Sequence, residues 1–145
     1  MSDLTKIFLT SGLTICGGVL VLVVGQFLMK LFIEPLFALR SHIGEIADCL
    51  IHYAHIYANP GSAGKELMQE AKDALRQKAS ILQSRAYSLP FYTLFALFRL
   101  VPSKDNISQA SGKLIALSNS VFDGNPLWNH DFEKSIRSAL HLPKI

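Results

Sequence analysis

Between Lys6 and Lys30 the chain carries no charged residue. That uncharged run, Ile7 to Met29, covers about 34 Å as an α-helix rising 1.5 Å per residue, enough to cross a hydrocarbon core of about 30 Å with some tilt. Lipid offers the backbone no hydrogen-bond partners, so a spanning segment must be a helix or part of a closed barrel, and one segment cannot close a barrel. The stretch from Ile7 to Ile33 is therefore read as a transmembrane helix and residues 1–35 as an anchor. A secretory signal has a shorter apolar core and a small-residue cleavage site behind it. Here Phe32-Ile33-Glu34-Pro35 follows instead, so the anchor is expected to stay on the chain.

Residues 36–145 leave room for one helical domain of roughly 110 residues. The expected fold class is all-α: one N-terminal transmembrane helix followed by a small bundle of about four helices. Leu36, Leu39, Ile43, Ile46, Leu50, Tyr53 and Tyr57 repeat at alternating spacings of three and four, the signature of a helical seam over 36–58 that stops at Asn59-Pro60-Gly61. Pro35 removes a donor at its start, yet no capping Ser, Thr, Asp or Asn precedes it. The column Ser11, Gly18, Gly25 also continues in phase through Phe32 to Leu39, Ile46 and Tyr53. The spacing thus predicts one long helix, kinked at Pro35, that carries the anchor directly into the domain.

A second helix is expected over 64–87, with Leu67, Ala71, Leu75, Ala79, Leu82 and Ala86 on its apolar face and an antiparallel return along the first. Residues 89–101, rich in phenylalanine, form a short apolar helix too short to span. It reads equally as buried core or as an interfacial segment with Phe91, Tyr92, Phe95, Phe98 and Arg99 at the membrane surface beside Lys30. Ser103 starts a helix over 104–122. Asp123-Gly124-Asn125-Pro126 stops it and starts the last, 126–141, which is expected to bury Leu127, Trp128, Phe132, Ile136 and Leu140. The tail from Leu142 to Ile145 is expected to fray.

Three patterns bear on function. Ser11, Thr14, Gly18 and Gly25 place small residues on one face of the anchor, where helix backbones can approach closely, so this face is the expected oligomer interface. Glu45, Asp48, His52 and His55 fall on one side of the following helix at spacings of three and four. Carboxylates and imidazoles so arranged can ligate a transition metal, but a bundle site draws matching ligands from other helices and none is evident. A solvated polar face is the plainer reading. Cys16 lies in the anchor and Cys49 in the helix after it, so a disulfide is not expected.

The chain lacks a phosphate loop, a Gly-x-Ser-x-Gly elbow, a His-Glu-x-x-His pair and a Cys-x-x-Cys pair. Neither catalysis nor a cofactor is expected. A net charge of +3, scattered along the chain, suits an anionic leaflet better than nucleic acid. The expected partners are membrane lipid and either another copy of the chain or a second membrane protein. Lys30, Arg40 and the later basic residues outweigh Lys6, which by the positive-inside rule puts the domain in the cytoplasm of a bacterial-type inner membrane. The leading expectation is a single-pass, non-enzymatic protein acting through protein–protein interaction or self-association. The alternatives are a membrane-perturbing effector, of toxin or defence type, and a metal-binding helical domain.

Overall fold

The computed structural model describes residues 3–143, so Lys144 and Ile145 of the tail lie outside the described residues. The chain is all-helical, with no strand among those residues. Helix α1 (Asp3–Leu28) passes through a π-helical turn (Met29–Ile33) into α2 (Glu34–His52), making one continuous helix of 50 residues. The π turn sits immediately ahead of Pro35. There the N–H of Glu34 reaches back five residues to the carbonyl of Met29. Proline has no N–H, and its ring would clash with the carbonyl four residues earlier in a regular helix. The wider turn admits the ring, and the helix continues without a new cap.

The seam predicted over 36–58 is buried as expected, from Leu39 through Ile43, Ile46, Leu50 and Tyr53 to Tyr57. The helix itself divides at Tyr53 (φ −96°, ψ 11°), leaving α3 (Ala54–Ala58) as a separate turn. Helix α4 (Lys65–Ser88) returns antiparallel to α2, and hydrogen bonds spaced along both helices fix its register. Arg85 donates to the carbonyl of Ala38, Lys78 Nζ donates to Glu45 Oε2 at 2.8 Å, and the Tyr53 hydroxyl donates to Glu70 Oε1 at 2.8 Å. Gly61 makes the connecting turn possible. It holds φ +74°, and an added Cβ would lie 2.8 Å from the carbonyl oxygen of Phe122. On α4, Leu67 turns partly outward and Met68 takes its place in the core.

Helices α6 (Lys104–Asn119) and α7 (Pro126–Ala139) complete a four-helix bundle with α2 and α4. Their starts are capped as the sequence indicates. The Ser103 hydroxyl accepts from the N–H of Asn106, and the Asn125 side chain accepts from the N–H of Leu127, with Pro126 opening α7. Leu39, Ile46, Leu50, Leu75, Leu82, Leu114, Leu117 and Ile136 are wholly enclosed. Each such side chain contributes about 1.5–3 kcal/mol relative to exposure. Trp128 departs from expectation: it is 64% exposed, as is much of Leu127. Asn129 occupies the inward position instead, its Nδ2 donating to the carbonyl of Tyr57 at 2.7 Å and its Oδ1 accepting from Ser120 at 2.5 Å. A polar side chain wins that position because it satisfies groups that an indole cannot reach.

The helix predicted over 89–101 is shorter than expected, reduced to α5 (Tyr92–Leu97). Phe91 and Arg99 adopt left-handed backbone conformations, φ +52° and +56°, and these close the segment at both ends. The alternating path of the bundle leaves α5 and the C-terminal end of α7 beside the start of α2. The Gly61 turn and the start of α7 lie at the opposite end.

Candidate functional site

Every described residue of α1 is exposed. Apolar side chains cover its whole circumference, and it is the one helix among the described residues long and apolar enough to cross a membrane. Ser11, Thr14, Gly18 and Gly25 lie on this open helix, and added Cβ atoms at Gly18 and Gly25 would meet nothing within 4 Å. The threonine hydroxyls are satisfied locally: Thr14 donates to the carbonyl of Thr10 at 2.9 Å, and Thr10 to that of Lys6 at 2.8 Å. The Thr14 hydroxyl then needs no partner from a neighbouring helix.

At the junction of α1 with the bundle, the Phe91 ring stacks on Phe32, centroid to centroid 5.7 Å. Phe91 and Phe98 are each 67% exposed and Leu97 75%; Leu94, Phe37 and Ile33 are also open. A collar of exposed apolar side chains from α5 and the start of α2 thus meets the base of the long helix at Phe32, and Lys30 and Arg99 are exposed as well. The expected interfacial set divides accordingly. Phe91, Phe98, Lys30 and Arg99 face outward, while Phe95 is half-buried against the core. Tyr92 does not belong to the outer set. It is 4% exposed, its hydroxyl donates to the carbonyl of Pro102 at 2.8 Å, and burial pushes its phenol up to about 12. The left-handed turn at Phe91 rotates Tyr92 inward and leaves Phe91 outside.

The polar face of α2 is organised differently from the predicted ligand set. Glu45 turns toward Lys78 and His42, its Oε2 lying 3.1 Å from His42 Nδ1. His42 is fully enclosed, and its Nε2 donates to the carbonyl of Lys78 at 2.9 Å. Lys78 and His42 together hold the Glu45 carboxyl well below the usual carboxylate range, at about 2. His52 stands edge-on to the Tyr53 ring at 4.6 Å, and Asp48 and His55 are exposed. Among the described residues, no group of three or more His, Cys, Asp and Glu is placed to hold a metal ion. The four candidates therefore do not assemble. His42 is the residue that sequence reasoning missed. It lies between Leu39 and Ile46 on the buried seam, and a histidine at that position signals a core group needing partners.

Two of the clefts on the bundle surface adjoin α7 and bear on function. The larger, about 680 Å³, lies between Ile51 and Ala54 on one side and α7 on the other. Its buried guanidinium is occupied within the chain, Arg137 Nε donating to Glu133 Oε1 at 2.8 Å and Nη1 to the carbonyl of Pro143 at 3.2 Å. The smaller, about 330 Å³, lies at the collar end and includes Arg40 and Arg99. Cys49 is buried, and burial pushes its thiol up, away from the thiolate that nucleophilic chemistry requires.

Comparison with protein-family models, curated proteins and solved structures finds no match to this chain.

Proposed function

We propose that the chain is a single-pass membrane protein, anchored through α1, whose helical domain acts by binding itself or another membrane protein rather than by catalysis. The observation that supports this most is the unbroken helix from Asp3 to His52, open along its first half and buried in the bundle along its second. An isolated apolar helix of this length is costly in water and stable in lipid. Continuity through Pro35 makes α1 and the core of the domain one mechanical element, so an association of anchors is transmitted to the bundle. The cation excess on the domain side favours a cytoplasmic domain at a bacterial-type inner membrane.

Association runs through the small-residue face of Ser11, Thr14, Gly18 and Gly25, where close backbone approach and dispersion replace the hydrophobic effect. The test is the mass of the full chain in mild detergent. A defined oligomer is expected for the wild type and a monomer for the double variant Gly18→Leu, Gly25→Leu. Monomers in both would contradict self-association and leave a different membrane protein as the partner. The exposed phenylalanines of the collar favour a second reading, a membrane-perturbing effector. On that reading, overproduction depolarises cells and Phe98→Glu abolishes the effect.

A further inference from the structure

The smaller cleft brings two helix ends together beside α2. Arg99 follows the C-cap of α5, Phe98, and His141 follows that of α7, Leu140. Both hold φ +56°, and both close their helix with the same pair of bonds. Leu100 N–H bonds to the carbonyl of Phe95 and Arg99 N–H to that of Ala96, each at 3.0 Å; Leu142 N–H bonds to Arg137 at 2.8 Å and His141 N–H to Ser138 at 3.3 Å. This is the Schellman closure, which glycine usually occupies. A side chain in the left-handed region costs on the order of 1 kcal/mol. Here two residues capable of positive charge stand where glycine would be free of that cost. The closing bonds already satisfy the last-turn carbonyls, so neither side chain is needed as a cap.

Arg40 on α2 lines the same cleft as Arg99. Among the described residues neither guanidinium makes a hydrogen bond or an ion pair, and no carboxylate lines the cleft. Elsewhere guanidiniums are engaged: Arg76 with Asn119, Arg85 with Ala38, Arg137 with Glu133. Two guanidiniums without partners on one concave surface leave their donors free for an anion. The height of the cleft indicates which anion. Arg40 lies six residues past Glu34, about 9 Å along the helix, and the polar headgroup layer extends roughly 5–7 Å beyond the hydrocarbon. A long guanidinium side chain covers the difference. Leu97 and Phe98, both exposed, precede Arg99 in the chain and offer apolar side chains suited to the acyl boundary beside the cleft.

We propose that this cleft binds the phosphate group of an anionic phospholipid, with Arg40 and Arg99 donating to its oxygens in the forked geometry that guanidinium and phosphate share. The proposal rests on the membrane reading above. It assigns the domain a fixed seat on the leaflet, with one lipid held between α2, α5 and the end of α7.

Native mass spectrometry of the full chain, released from membranes in neutral detergent and titrated with phosphatidylglycerol or phosphatidylcholine, tests it. One phosphatidylglycerol is expected to be retained in preference to phosphatidylcholine. The double variant Arg40→Gln, Arg99→Gln should weaken that retention roughly tenfold or more, since each cation near a membrane surface contributes appreciably. Lys65→Gln with Lys134→Gln, the same loss of charge at exposed positions outside the cleft, should leave it unchanged. Gly44→Phe fills the cleft without removing a charge and should also abolish it, since a Cβ at Gly44 meets nothing within 4 Å. Equal retention of the two lipids, or equal loss in the Lys65, Lys134 control, would overturn the proposal. Displacement by inorganic phosphate at matched concentration would assign the cleft to a free anion and overturn the lipid assignment. Failure of the chain to remain in the membrane fraction before extraction would instead contradict the anchor itself, so the two failures are separable.

Discussion

Phe91 stacks on Phe32 at 5.7 Å, and this one contact ties the α4–α5 connection to the last turn of the long apolar helix. It sets the height of α5 relative to α1. Whatever depth Phe32 takes in a bilayer, Phe91 shares it, and Leu97 and Phe98 follow within two turns of chain.

That relationship makes a depth prediction. In a Trp128→Phe background, a tryptophan introduced as Phe98→Trp should show blue-shifted emission and quenching by brominated acyl chains in vesicles. The native Trp128, exposed at the start of α7 and at the far end of the bundle, should not. Equal quenching at both positions would place the domain differently on the membrane.

A pH prediction follows from Glu45. Its carboxyl is held at about 2, against an ordinary value of 4.5, first by the hydrogen bond from Lys78 and then by that from His42. A depressed carboxyl favours the folded state while ionised, so its contribution is complete above pH 4.5 and disappears as pH falls toward 2. Thermal midpoints of the full chain in detergent should therefore drop through that window, and Glu45→Gln should flatten the drop. An unchanged acid limb in the variant would remove Glu45 from the account.

Asn129 gives the third. Asn129→Ala leaves the enclosed carbonyl of Tyr57 without its partner, while the Ser120 hydroxyl keeps the carbonyl of Leu117, and an unsatisfied buried polar group costs about 1–3 kcal/mol. The domain should unfold at lower denaturant with an unchanged slope. A loss below a few tenths would mean that water takes the vacated position.

The turn at Gly61 supplies the fourth. Gly61→Ala must place a side chain at φ +74° and within 2.8 Å of the Phe122 carbonyl oxygen. The strain and the forced shift together should cost about 1–3 kcal/mol. Gly64→Ala, where a Cβ meets nothing within 4 Å, is the matched control and should cost far less.

These positions also mark what the chain reveals before folding is known. The uncharged run to Met29 and the three-four seam from Leu39 to Tyr57 are written in periodicity alone, so the long helix and its buried stripe were readable. The antiparallel return of α4 followed from Asn59-Pro60-Gly61. His42, Tyr92 and Asn129 were not readable in that way. Each is a polar or amphipathic residue drawn inward by one distant carbonyl, of Lys78, Pro102 and Tyr57 respectively, and such pairings leave no local pattern. The short α5 was hidden for a related reason. Phe91 and Arg99 adopt left-handed conformations without the glycine that normally announces them.

The most direct test of the central claim is fractionation of the full-length chain after lysis without detergent, followed by an alkaline carbonate wash of the membranes. The account predicts that the protein stays with the washed membranes and is released only by detergent. Recovery in the soluble fraction, or release by carbonate alone, would contradict it.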